Sequence, residues 1–288
     1  MTLEPSPSVA ARAARLLGWT PTAWRPVVGG YTAAARYVAS SGSERAFVKV
    51  ATTPLTATQL RAEGVVYQRL TGAFMPGLIG WEDDEVEPIL AIEDLSDARW
   101  PPPWDRPAVD RVLEQLERVH ASPVTLRAFS EAHGPASEGW AAVAATPEPF
   151  LSLGLTSREW LFQALPRLIE AEANCPTEGS SVTHFDLRSD NICLPGSGAK
   201  FIDWAAASLG DPDLDLGFWL PSLCFEGGPP PDELLPDAPQ IAAFVSGYFA
   251  AHAGLPIIPN APFVRRVQQE QLSTALPWVA RALKLGDL

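Results

Sequence analysis

An aspartate, an asparagine five residues on and a second aspartate twelve residues beyond stand between Thr183 and Trp204. They are Asp186 and Asn191 in His184-Phe185-Asp186-Leu187-Arg188-Ser189-Asp190-Asn191, and Asp203 in Ile202-Asp203-Trp204. The segment reads as a strand from Ser181, a loop, the strand Ile192-Cys193-Leu194, the turn Pro195-Gly196-Ser197-Gly198 and the strand Lys200-Phe201-Ile202-Asp203. Asp186 then leaves one strand, Asn191 begins the next and Asp203 ends the returning one, so one hairpin gathers three oxygen donors. Hard Mg²⁺ favours such ligands and retains some water. The plainer alternative is a polar hairpin in which Asp and Asn serve as turn formers.

A cation stands in the first half. Lys49 interrupts the β-rich run Phe47-Val48-Lys49-Val50, where a charge is costly without a partner. Glu63 lies on the apolar face of a helical pattern over 57–71, with Leu60, Tyr67 and Leu70, so a carboxylate faces inward and should seek a cation. An exposed lysine beside a half-buried glutamate is the alternative. Upstream, Gly29-Gly30-Tyr31-Thr32 stands between strand-like segments. It suits either a hairpin turn or a cradle of backbone N–H groups, with the Thr32 hydroxyl, for an anion. Metal ligands, a phosphate-binding cation, a backbone cradle and a carboxylate base are the parts that phosphoryl transfer needs.

The elements that must position these groups fall into two kinds. Residues 24–50 alternate as strands, and Ile89-Leu90-Ala91-Ile92 adds another. After Pro101-Pro102-Pro103, helical patterns dominate over 106–121, 157–174, 238–252 and 262–284. The expected fold class is α+β, with a small antiparallel β lobe over 1–95 and a mainly helical lobe over 96–288. At 288 residues, 47% hydrophobic and 19% charged, the chain has the material for a real core.

Net charge is −13, concentrated after residue 95, where 13 Lys/Arg face 24 Asp/Glu. That excludes the basic footprint of a nucleic-acid partner. It suits a cationic small molecule, or simply a soluble acidic protein. Cys175, Cys193 and Cys224 are far apart and form neither a zinc motif nor a disulfide framework, which points to the cytoplasm. No apolar run is long enough for a membrane span or a signal peptide. Monomer and homodimer are both open.

The block from His184 to Asn191 with Ile202-Asp203-Trp204 resembles the catalytic loop of the aminoglycoside phosphotransferase and choline kinase family, relatives of protein kinases. The resemblance implies a two-lobed kinase-like fold and ATP- or GTP-dependent transfer of a γ-phosphoryl group to a small-molecule hydroxyl, with antibiotic resistance among the family's roles. By it, Asp186 is the catalytic base, Asn191 and Asp203 hold Mg²⁺, and Lys49 paired to Glu63 holds the phosphates. Gly29, Gly30 and Thr32 cover the phosphates, while backbone groups near Glu93 and Leu95 meet the purine. Phe185 stands where the family has Gly, and Arg188 where it often has His.

Gly210-Asp211-Pro212-Asp213-Leu214-Asp215-Leu216-Gly217 resembles a further family element. Asp211 before Pro212 has the form of a helix N-cap, and these carboxylates are assigned to structure. His120 is assigned to packing or helix capping. Acceptor-lining candidates are Asp190, Arg188, Trp219, Phe225, Glu226 and the loop over 229–239, with Trp278 further off; an acidic, aromatic surface suits an amine. No G-x-S-x-G, H-E-x-x-H or Walker A sequence is present, and no A-P-E-like segment follows Asp203. The competing reading is a catalytically silent kinase-like module that binds a nucleotide or a partner.

Overall fold

The computed structural model describes residues 4–29, 33–134, 139–259 and 261–288. Gly30 and Thr32 lie outside them. In chain order the first elements are α1 (Pro7–Leu17), β1 (Ala23–Pro26), β2 (Ala35–Ser41), β3 (Glu44–Val50), α2 (Pro54–Arg69), β4 (Leu78–Glu82) and β5 (Ile89–Ile92). There follow α3 (Arg106–His120), α4 (Phe129–His133), α5 (Gly139–Ala145), α6 (Glu148–Leu151), α7 (Arg158–Ala173), β6 (Ser181–Thr183), β7 (Ile192–Cys193), β8 (Lys200–Phe201) and β9 (Ser208–Gly210). The chain continues with α8 (Pro212–Phe225), α9 (Pro231–Leu234), α10 (Pro239–Ala253) and α11 (Val264–Ala282). This is an α+β, two-lobed, protein-kinase-like fold.

The first five strands form one antiparallel sheet in the order β1-β2-β3-β5-β4. Its register sets Lys49 of β3 between Arg36 of β2 and Leu90 of β5. Strand β1 is shorter than the run through Val28: the Val27 N–H donates to the Arg36 carbonyl at 2.9 Å, and beyond it Val28 is 88% exposed. Helix α1 lays Val9, Ala13 and Leu17 over Val48, Val50 and Ile89. On the other side Leu60 and Tyr67 of α2 and Leu90 of β5 join a core that continues into the helices through Leu116, Leu168 and Trp204.

Sequence chemistry fixes where the helices begin. Side chains of Ser6, Thr53, Asp105, Ser157 and Asp211 accept from backbone N–H groups of the first turns of α1, α2, α3, α7 and α8, and proline opens all but α7. Such caps each contribute about 1 kcal/mol.

The polar segment after Ser181 is not one hairpin. β6 pairs with β9, and β7 pairs with β8, giving two short antiparallel ladders. The catalytic-loop motif is therefore the crossover from one ladder to the other. The segment over 229–239 is also not a plain loop. It contains α9, with Pro231 buried, Asp232 paired to Arg281 and Glu233 paired to Arg106.

At the end of α10 the backbone of Gly254 packs against Pro149 of α6. A Cβ on Gly254 would overlap the Pro149 carbonyl. Gly254→Ala is expected to destabilise the protein by about 1–3 kcal/mol through overpacking. Thermal denaturation reads this as a lowered Tm; an unchanged Tm would mean that the α6 end yields freely.

Candidate active site

The loop that carries the Asp186–Asn191 motif is built around a buried carboxylate. Asp215, on the first turn of α8 and fully buried, accepts from the His184 N–H at 2.8 Å and the Phe185 N–H at 2.7 Å. Its Oδ2 also meets His120 Nε2 at 3.1 Å. These bonds hold Phe185 at φ 60°, a left-handed conformation costly for a non-glycine residue. The sequence assigns Asp215 to structure without naming a partner; the structure gives it two backbone donors of this loop.

His184 ties the two ladders together. Its Nε2–H donates to the Ile202 carbonyl at 2.9 Å, and its Nδ1 accepts from the Asp186 N–H at 3.3 Å. Burial lowers its pKa, with the Asp215 charge opposing, which suits the neutral ring these partners require. The chain therefore reaches Asp186 and Asp203 from two sides of one imidazole.

Asp186, Asn191 and Asp203 line one cavity. Asn191 Nδ2 donates to the Asp186 backbone carbonyl at 2.8 Å and to Asp186 Oδ2 at 3.1 Å, so its amide oxygen is the atom left to act as a ligand. Burial drives the Asp186 pKa up to about 6, against Arg188, with Asp203 and Asp190 adding to the rise. A carboxylate so tuned is a stronger proton acceptor near neutral pH. Asp203 goes the other way: burial would raise it, but the Lys49 charge and hydrogen bond bring it down to about 2.

Lys49 is the opposite pole. Its Nζ lies 2.6 Å from Glu63 Oε2 and 2.9 Å from Asp203 Oδ1, and both Lys49 and Glu63 are buried. Burial alone would lower the Lys49 pKa; the two carboxylates reverse that and raise it, so the ammonium is retained. Arg36, buried beside Lys49 in the sheet, sends Nη1 to the Ala34 carbonyl at 3.0 Å and the Gly29 carbonyl at 3.3 Å. Gly29 itself has φ 130°, accessible in practice only to glycine. Arg36 escaped the sequence reading because an arginine in an alternating strand looks solvent-facing.

Glu63→Gln is expected to cost about 1–3 kcal/mol, since the Lys49 bond loses its charge assistance while the amide oxygen still accepts. Urea denaturation checks it, and a variant as stable as the parent would show the pair to be dispensable.

At the lobe junction the Glu93 N–H donates to the Gly77 carbonyl at 2.9 Å, and the Glu93 carboxylate is bonded by Lys200 and the Gly77 N–H. The Leu95 carbonyl accepts from the Ala98 N–H at 3.0 Å and from Trp100 Nε1 at 3.4 Å.

The acceptor-side candidates divide. Arg188 and Asp190 line the cavity, with Arg188 Nε 3.1 Å from Asp190 and its Nη2 3.6 Å from Asp186. Trp219 and Trp278 are 0% and 1% exposed and belong to the core, where Trp219 stacks edge-on with Trp104 at 5.5 Å. Glu226 is held by Trp104 Nε1 at 2.8 Å and by the Ser189 hydroxyl, and it braces the loop from behind. Among the described residues neither Glu226, Phe225 nor the segment over 229–239 lines the cavity. What sequence reasoning missed is the wall from Phe218, Phe244, Tyr248 and Phe249, whose helical spacing on α8 and α10 reads as ordinary core.

The donor set fits a metal shared with a phosphate ligand. Among the described residues no group of three or more His, Cys, Asp or Glu could hold a metal ion on its own. One amide oxygen and one carboxylate remain, the sparse protein share that Mg²⁺ takes beside phosphates and water.

No curated protein matches the sequence. Among solved structures the chain is similar to aminoglycoside phosphotransferase APH(4)-Ia, with 14% identity, 99% of this chain and 100% of that chain covered, and a TM-score of 0.61. A thermostable mutant of that enzyme, in ternary complex with ADP and hygromycin B, matches at 15% identity over 98% and 99% with a TM-score of 0.59. Choline kinase LicA from Streptococcus pneumoniae matches at 15% identity over 96% and 98%, also with a TM-score of 0.59. At these identities the likeness carries the fold. The model of the phosphotransferase enzyme family matches residues 23–255, most of the chain, and the protein is a member of that family.

Proposed function

We propose that this protein is a small-molecule kinase that moves the γ-phosphoryl group of ATP onto a hydroxyl, with residues 1–95 as the nucleotide lobe and 96–288 as the acceptor lobe. The observation that carries the reading is Lys49, buried between Glu63 and Asp203, with Asp203 lining the same cavity as Asp186 and Asn191. An ammonium anchored by a helical carboxylate is poised to meet phosphate oxygens, and membership of the phosphotransferase family supports that use. The ADP bound by a related aminoglycoside phosphotransferase supports ATP as the donor.

Asn191 and Asp203 would hold Mg²⁺. When bound, the ion supplies neutralisation of charge on the phosphate oxygens. Lys49 holds and orients the phosphates, and Gly29 stands at the start of the segment assigned to cover them. The Glu93 carbonyl and the Leu95 N–H are the backbone groups assigned to the purine. Asp186 orients the acceptor hydroxyl and takes its proton as that oxygen bonds to the γ-phosphorus and the bond from the γ-phosphorus to the β–γ bridging oxygen breaks, releasing ADP; Arg188 stands between Asp186 and Asp190. The work of the chain is positioning and electrostatics, which is most of what phosphoryl transfer requires.

The test is an array of hydroxylated small molecules incubated with Mg²⁺, ATP and the protein, followed by mass spectrometry for a gain of one phosphate. A phosphorylated acceptor that disappears without Mg²⁺ supports the reading. Tight Mg²⁺-dependent ATP binding with no acceptor turned over across the array would favour the silent module.

A further inference from the structure

The cavity beside Asp186 has a volume of about 980 Å³. Its wall is aromatic: Phe129, Phe185, Phe218, Phe244, Tyr248 and Phe249 line it. They contact one another edge to face, as in Phe129–Phe185 at 5.2 Å, Phe218–Tyr248 at 5.6 Å and Tyr248–Phe249 at 5.3 Å. Each such contact sets one ring's edge against the next ring's face, so the electron-rich faces are partly engaged within the wall. Phe185, at the position where glycine is usual, puts a ring of the catalytic loop itself into this surface.

Among the described residues the charged lining is confined to Asp186, Arg188, Asp190 and Asp203. All four lie on the segment over 186–191 or just after β8, and the carboxylates already face Arg188 or Lys49. Glu172, buried behind Gly139, is bonded to the Trp140 N–H at 2.8 Å. His133, also in the lining, is lowered in pKa by burial and by Arg127. Gln268 and Gln271 supply neutral hydrogen-bonding groups. The chain between lining residues Leu255 and Val264 exposes Ile257 at 67% and Phe263 at 61%, extending the apolar character to the rim.

We infer that the acceptor is an uncharged, largely apolar alcohol, presenting ring or alkyl carbon to the aromatic wall and one hydroxyl to Asp186, and not a polycation or a quaternary ammonium. An ammonium group entering this wall would lose its water without gaining a carboxylate, at a cost of several kcal/mol for each charge. Rings and alkyl carbon gain from the same burial. This rests on the proposed acceptor site, and it revises the expectation of an acidic surface for amines: the cavity's carboxylates, Asp186, Asp190 and Asp203, already face Arg188 or Lys49, and none stands among the aromatic side chains.

The test uses the neutral fluorophore N-phenyl-1-naphthylamine as reporter, with choline and its uncharged carbon isostere 3,3-dimethyl-1-butanol as competitors. Saturable binding of the reporter to the full-length protein is expected. The isostere should displace it at about a tenfold or greater lower concentration than choline. Ala142→Asp, which adds a carboxylate to the half-buried lining, should weaken the reporter about tenfold and narrow the gap between competitors; Ala251→Asp is the second variant should the first misfold. Reporter that fails to bind, or choline that displaces it as well as the isostere does, overturns the inference. The two ideas fail separately. A parent protein that binds the reporter with the expected order of competitors but transfers no phosphate to any alcohol strikes the kinase reading and leaves the cavity's chemistry standing.

Discussion

Asp186→Asn is expected to lower single-turnover phosphoryl transfer by about 10²–10⁴-fold, the usual range for loss of a positioned general base. The amide keeps the volume of the carboxylate and an oxygen that can accept from Asn191 Nδ2, so the loop geometry is preserved. What disappears is the proton acceptor that burial has tuned to about 6. Nucleotide affinity should stay within about twofold, because the Lys49–Glu63 pair proposed to hold the phosphates is untouched. Rapid-quench measurement with radiolabelled ATP and an acceptor from the array gives the rate, and calorimetry gives the affinity. Full transfer in the variant would remove Asp186 from the chemistry.

Asp215→Ala should produce the largest loss of stability, about 3–5 kcal/mol. The carboxylate has no exposure to solvent and accepts the N–H groups of His184 and Phe185 while facing His120. Alanine would strand two buried donors and release the left-handed turn at Phe185, whose conformation those bonds maintain. At roughly 2–4 °C per kcal/mol for a protein of about this size, Tm should fall by roughly 6–20 °C. Transfer should fall as well, since a shift of about 1 Å in the base costs on the order of 10²-fold. Asp215→Asn, which retains one acceptor oxygen, should fall between alanine and the parent in both readouts. A variant with normal Tm but impaired transfer would move Asp215 from a positioning role to a direct one.

Much of the fold was legible because local signals agreed with one another. The strand over 89–92 is found with those bounds, and the helices near 106, 157, 238 and 262 begin within about two residues of their expected starts. A capping Asp or Ser, a first-turn proline, or both mark three of these four starts, and such signals need no tertiary context. Lys49 and Glu63 could be paired on paper because a charge in a β-branched run and a carboxylate on an apolar helix face each demand a partner. Pairing of β6 with β9 was not legible. Both are three-residue strands, too short for an alternation pattern, and their partnership depends on a chain reversal through β7 and β8.

The errors at the acceptor side share one cause. Trp219 and Glu226 have suitable chemistry, but helix phase turns Trp219 into the core, and Trp104 and Ser189 take up Glu226. Conversely, Phe218, Phe244 and Phe249 carry only the periodicity of a packed helix. Whether such a residue fills a core or lines a cavity depends on what the facing helix leaves empty, and a single sequence does not encode that locally.

The most direct test of a metal-dependent nucleotide site built on Lys49, Asn191 and Asp203 is calorimetric titration of ATP into the parent and into Asp203→Ala, with and without Mg²⁺. ATP should bind the parent at least about tenfold more tightly with Mg²⁺ than without it, and that gain should vanish in Asp203→Ala. ATP that binds the parent equally well without the ion, or a Mg²⁺-dependent gain that survives in Asp203→Ala, would contradict the site as described.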